Sequence, residues 1–313
     1  MPVTIPVTTQ PFFLSVSGRS RFCLYHPPEL AGAASRGAIV YIHPFAEEMN
    51  FSRHMAALQS RMLAAQGYAV LQIDLLGCGD SAGDFSEASW SAWVADIIAA
   101  ARWMQSHRII HNPTDSTEPL IFWGLRVGCL LATEAASALD EPVDFLFWQP
   151  VLSGEAYWRQ FRRLEVAAKA VVARALENDS DARKNKPESV AENTPEIEIA
   201  GYRVSPALVA GLSASHLALP VNTRRVSCIE VSAWQALDES NTNSLPLPHS
   251  LPNSSSMSPS LAAAVDAWRE QGTSVRCAVV PGTAFWQIAE AEDCPPLRAA
   301  TVQLLTEGRD DSA

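Results

Sequence analysis

The chain has 313 residues, 48% hydrophobic and 18% charged, with a formal net charge of -11. That is ample apolar material for one large core, and the acidic balance argues against a nucleic-acid binder or a ligand for anionic membranes. No apolar run approaches the ~18 residues of a membrane span. The opening residues 1–6 lack the basic-then-apolar order of a signal peptide, and the six cysteines show neither a C-x-x-C pair nor zinc-ligand spacing. A soluble, reduced, cytoplasmic protein with no metal or cofactor is the expectation.

Residues 12–25 alternate weakly and read as an opening hairpin turning at Ser17-Gly18-Arg19. Ala38 to Ile42 is a continuous apolar strand that ends at His43-Pro44-Phe45-Ala46-Glu47-Glu48. Open parallel sheets bind ligands outside the carboxyl ends of their strands, so this is a pocket loop by position. Phe51 to Gln66 has helical periodicity, with Met55, Leu58, Met62 and Leu63 on one face and Gly67 as its stop. The strand Tyr68 to Ile73 runs into Asp74-Leu75-Leu76-Gly77-Cys78-Gly79-Asp80-Ser81, and Trp90 to His107 is a second amphipathic helix.

After a polar loop, 112–118, comes the stretch that organises the chain. Leu120 to Trp123 is a short apolar run of the kind a buried parallel strand requires, and Val127 to Ala138 is small, apolar and helix-compatible. Between them lies Gly124-Leu125-Arg126-Val127-Gly128, whose glycines let strand and helix approach closely. The spacing is that of a G-x-S-x-G nucleophile elbow with arginine at the centre. A guanidinium stays protonated, has no lone pair for attack and only donates hydrogen bonds. The scaffold is kept and the nucleophile is discarded.

Val143 to Trp148 is a further strand, and the repeated strand–helix order implies a right-handed doubly wound sheet. The pattern then breaks. Tyr157 to Leu176 reads as a helix with a basic outer face, a lid over the pocket or a membrane-surface helix; Glu177 to Glu198 is polar and reads as mobile; and Ser205 to Leu219 holds a second cap helix. Arg225 to Val231 resumes the sheet, Ser240 to Ser260 reads as a surface insertion, Leu261 to Gln271 as a helix, Ser274 to Val280 as the last strand and Pro295 to Leu305 as the closing helix. The expected domains are a core of 1–154 and 221–313, a helical cap of 155–220 and a disordered insertion at 240–260.

The elbow, the glycine turn after a strand and the element order resemble the α/β-hydrolase superfamily over most of the chain. A narrower resemblance, to the exosortase A system-associated hydrolase 2 family, rests on residues 41–50 (YIHPFAEEMN), 74–85 (DLLGCGDSAGDF) and 123–126 (WGLR). It implies a bacterial setting of exopolysaccharide production and export of proteins with a PEP-CTERM sorting tail. The fold implied is an α/β-hydrolase, mostly parallel and doubly wound, with a helical cap insertion. Carrying the superfamily's triad onto this chain leaves Arg126 for the serine, Phe285 and Trp286 where the histidine is expected, and Asp238 as a late candidate acid.

A cation at a helix N-terminus is opposed by the helix dipole, and burying it unpaired costs far more. Arg126 therefore calls for an anion: a ligand carboxylate or phosphate, or an internal bridge to Glu47 or Glu48. His43 either holds its loop by hydrogen bonds or does acid–base work. Phe285 and Trp286 either line an apolar site or fill a vacated one. Cys78 near His43 leaves a Cys/His pair as a remaining catalytic route. The candidate pocket is thus His43, Phe45, Glu47, Glu48, Arg126, Phe285 and Trp286. Three functions stay open: a catalytically degenerate binder of a small anionic or acyl ligand, an active hydrolase or acyltransferase without a serine nucleophile, and a scaffold for a polysaccharide- or sorting-system protein.

Overall fold

The computed structural model describes residues 9–29, 35–111, 119–163, 197–199, 201–232 and 257–306. The loop 112–118, Asp238, most of the 177–198 and 240–260 segments and the cap helix beyond residue 163 lie outside them. An eight-stranded sheet has the order β1-β2-β4-β3-β5-β6-β9-β10. Its strands are β1 (Gln10–Val16), β2 (Arg19–His26), β3 (Gly37–Ile42), β4 (Tyr68–Ile73), β5 (Leu120–Leu125), β6 (Val143–Trp148), β9 (Arg225–Ser232) and β10 (Ser274–Pro281).

β1 and β2 form the expected hairpin, with Val16 opposite Arg19. Its two turn residues, Ser17 and Gly18, take φ of 50° and 76°, the doubly left-handed turn that suits strand twist. β2 runs antiparallel to β4, and every pair from β4 onward is parallel. α1 (Glu47–Ala65) and α7 (Pro295–Thr306) cover one face, and α2 (Trp90–His111), α3 (Gly128–Ser137) and α6 (Pro259–Glu270) the other.

The apolar runs lack simple alternation because both faces are buried. Ile39, Tyr41, Ile121, Trp123, Leu146 and Trp148 point to α1 and α7, while Val40, Phe122, Phe145 and Phe147 point to α2, α3 and α6.

Between β6 and β9 the chain leaves the sheet. The excursion holds α4 (154–163), β7 (Ile197–Ile199), β8 (Tyr202–Val204) and α5 (Pro206–Ala214). The cap is therefore not purely helical: β7 and β8 pair as an antiparallel hairpin around Gly201, whose φ is 82°. Ser205 caps α5, its hydroxyl accepting from the Leu208 amide at 3.1 Å.

A second difference bears on the site. The expected helix from Phe51 begins four residues earlier, at Glu47, so Glu47 and Glu48 stand in the first turn of α1 rather than on a loop. Carboxylates there are favoured by the helix dipole.

Candidate functional site at the elbow

The elbow backbone is intact. Arg126 has φ 55°, the left-handed strain that exposes the central residue of such a turn. Its amide donates to the Trp148 carbonyl at 3.0 Å, and its own carbonyl accepts from Cys129 at 3.1 Å. Both glycines are obligatory. A Cβ on Gly128 would lie 2.2 Å from the Ile42 carbonyl oxygen, and one on Gly124 would lie 2.7 Å from the Cys129 backbone.

The anion that Arg126 requires is Glu48. Arg126 Nε donates to Glu48 Oε1 at 3.3 Å, with the two side chains 15% and 9% exposed. The guanidinium carbon lies 5.5 Å from the Tyr157 ring centroid and 5.6 Å from that of Trp286, close enough for cation–π attraction to both. Burial pushes the Glu48 carboxyl up, against the opposing pull of Arg126 and Tyr157. Glu48 Oε2, the Tyr157 hydroxyl and Trp286 Nε1 are buried and make no hydrogen bond of good geometry, although the phenol is near enough to favour ionised Glu48. Arg126 Nη1 and Nη2 likewise hydrogen-bond to no described residue. The site thus joins two helix starts: Glu48 sits favourably in the first turn of α1 and neutralises a cation that the α3 dipole opposes.

The other candidate residues divide. Glu47 does not reach Arg126. Its carboxylate acts on Tyr202 of the cap, whose hydroxyl also accepts from Asn50 Nδ2 at 2.9 Å. Phe45 is a packing hub, with its ring against Phe85, Trp93, Tyr157, Trp158 and Phe161. Phe285 and Trp286 form a buried 3₁₀ turn after β10, Phe285 against Trp148 and Trp286 over Arg126. They fill space at the elbow rather than opening it.

His43 is held by both ring nitrogens: Nε2 accepts from the Leu75 amide at 3.2 Å and Nδ1 donates to the Pro44 carbonyl at 2.8 Å. That pattern fixes the neutral tautomer, and burial pushes its pKa down. The cavity beside it, lined by Tyr41, His43, Arg53 and Asp74 among others, is about 20 Å³, room for one water and no acyl chain. Cys78 is buried, and desolvation with the Asp74 charge raises its thiol, opposite to what a nucleophile needs. A Cys78/His43 couple therefore has neither a thiolate nor a free base. Asp74 and Ser81 are structural: Asp74 binds Arg53 and the Asp80 amide, and the Ser81 hydroxyl donates to the Asp74 carbonyl.

Tyr157 is the site residue the sequence reading passed over. Its signal was the Tyr157/Phe161 pair, one turn apart on the face of α4 opposite its arginines. Among the described residues no group of three or more His, Cys, Asp or Glu is arranged to hold a metal, and no helix is long and apolar enough to cross a membrane.

Similarities to known proteins agree with this architecture. A soluble variant of monoglyceride lipase from Saccharomyces cerevisiae superposes with TM-score 0.54 at 13% identity, covering 97% of both chains. An α/β serine hydrolase without lid from Xanthomonas campestris superposes with TM-score 0.51 at 14% identity over 96% of this chain and 95% of that one. At such identities the likeness speaks for the fold alone. Human protein ABHD12B is 32% identical over 109 residues, 34% of this chain, and the match spans only 27% of that protein. Residues 33–218, more than half of the chain, match the family described as serine aminopeptidase, S33. Fold, elbow and sequence agree that the chain belongs to that family of α/β-hydrolases.

Proposed function

We propose that this protein is a non-catalytic α/β-hydrolase that binds an anionic acyl or phosphate-bearing ligand at Arg126, in the bacterial cytoplasm, within the exosortase A, PEP-CTERM and exopolysaccharide context that its narrower resemblance implies. One observation carries the reading: Arg126 gives only Nε to Glu48 and keeps both terminal nitrogens clear of described partners. A planar fork is the group that binds carboxylate or phosphate in two-point fashion. Glu48 occupies the site in the ligand's absence. When a ligand anion takes the guanidinium, the buried Glu48 carboxyl, already raised by desolvation, is neutralised by a proton.

Catalysis has no support at the same place. The central residue cannot attack, Trp286 stands where a base is expected, and His43 has no free nitrogen.

The test is thermal-shift and calorimetric titration with long-chain carboxylates and acyl phosphates, run beside hydrolysis assays on nitrophenyl esters and acyl thioesters. Ligand at a hundredfold its Kd should add about 2.7 kcal/mol of stability. The gain should vanish in Arg126→Ala, with no ester turned over. Turnover by wild type that is lost in Arg126→Ala would replace the binder with an enzyme. Absence of both binding and turnover would favour the scaffold.

A further inference from the structure

We propose that Cys228 and Cys277 are a redox-reactive pair that closes into a reversible cross-strand disulfide when a low-molecular-weight disulfide reaches Cys277. The two residues are register partners on β9 and β10, which run parallel, so their side chains leave the same face of the sheet. Adjacent strands lie ~4.8 Å apart, within the ~4.4–6.8 Å range of Cα separations that a disulfide bridges. The two thiols are near enough that each is the leading influence on the other's ionisation. The register thus meets the Cα-spacing requirement of a bridge.

Access is equally selective. β10 is the edge strand, and Cys277 is the one cysteine of the six that is not buried. Burial raises the thiols of Cys23, Cys78, Cys129 and Cys294; within the pair, proximity to Cys228 and then the Arg269 guanidinium of α6 lower Cys277 against the pull of desolvation, while the same proximity raises Cys228. A partly exposed attacking thiol beside a buried resolving one is the arrangement such exchange requires.

The chemistry balances without a further reactant. Cys277 thiolate attacks one sulfur of the oxidant, whose S–S bond breaks, and the first small thiolate leaves and takes a proton from water. Cys228 Sγ then attacks Cys277 Sγ, breaking the mixed disulfide, and its proton goes to the second departing thiolate. The two cysteines are oxidised together and the small disulfide is reduced to two thiols. The bond fastens to the sheet the edge strand whose following turn carries Trp286 over Arg126.

The experiment treats the full chain with oxidised glutathione, then maps peptides by mass spectrometry and labels remaining thiols with iodoacetamide. A Cys228–Cys277 linked peptide should appear, with Cys277 labelling lost and then recovered by reduced thiol. Cys228→Ser should instead trap glutathione on Cys277, and Cys277→Ser should form no bond. Glutathione persisting on Cys277 of the wild type, prior reaction at another cysteine, or no reaction at Cys277 would each overturn the proposal. The labelling arm uses only wild-type protein, so a variant that fails to fold does not blunt it.

Discussion

Two largely buried arginine–carboxylate pairs among the described residues are built differently. Arg21 on β2 meets Asp96 on α2 with Nε to Oδ2 at 2.8 Å and the side chains 3% and 0% exposed; the same oxygen accepts the Leu76 amide at 2.8 Å. Arg126 meets Glu48 at 3.3 Å with more of both side chains exposed, between the faces of two aromatic rings. The first pair locks strand, helix and turn together in a closed interior. Each is joined through Nε alone, but the second is longer, more exposed and flanked by soft π contacts, so its cation has the freer surroundings. One is architecture, and the other is where the proposed ligand would bind.

Removing a partner breaks the comparison most sharply at the closed pair. Asp96→Ala strands the Arg21 guanidinium in the core, and urea denaturation should show a loss of roughly 3–5 kcal/mol. Two buried histidines set a pH dependence that is separate from both pairs. β2 carries His26, which burial and the Arg61 charge push down to about 4, and the loop before α1 carries His43, lowered by desolvation. Below its usual value of 6.5 the unfolded chain binds a proton that native His26 refuses until pH falls to about 4. Stability therefore declines as pH drops through that window, by on the order of 2 kcal/mol for His26. Glu48 and Asp96, raised by burial, act in the opposite sense, gaining native protons first. Comparing wild type with His26→Gln at each pH isolates the imidazole, and the variant's profile should be flatter.

At the open pair the effect shrinks. Arg126→Ala leaves Glu48 buried, but a carboxyl already raised by desolvation can take a proton instead of remaining a stranded charge. Loss of the bridge and two cation–π contacts, less the relief of α3 dipole repulsion, should cost about 1 kcal/mol by the same denaturation. A cost equal to that of Asp96→Ala would erase the distinction between lock and site.

How much of this was legible follows from where the information is local. The strands could be read because apolar runs on a doubly covered sheet are contiguous in sequence. The elbow could be read because Gly124 and Gly128 are demanded by contacts within the turn itself and with β3. The start of α1 could not, because Ala46, at φ 50°, precedes it with no side-chain cap to mark the boundary. That hid the separation of Glu47, turned to Tyr202, from Glu48, turned to Arg126. The cap hairpin was hidden by three-residue strands carrying Glu198 and Arg203, too short to set an alternation. Tyr157 and Trp286 meet Arg126 only through the fold, from β6's excursion and from the turn after β10, and neither carries a motif.

The smallest expected effect is the most informative about catalysis. Arg126→Ser restores a hydroxyl at a turn whose strained backbone, glycines and following helix are all in place. If elbow geometry alone made an esterase, this single change would suffice. A serine hydroxyl attacks only when a base removes its proton, and the position over the elbow belongs to Trp286, an indole that donates and cannot accept. His43 cannot substitute, since one ring nitrogen accepts from Leu75 and the other donates to Pro44. Hydrolysis of nitrophenyl esters by Arg126→Ser should therefore stay within a few-fold of buffer, and a serine-directed phosphonate should leave it unlabelled. Pairing it with Trp286→His asks whether the base is what is missing. Activity in the double variant alone would place the loss of catalysis in the turn after β10 as well as at the elbow, whereas activity in Arg126→Ser alone would show that arginine by itself holds the enzyme silent.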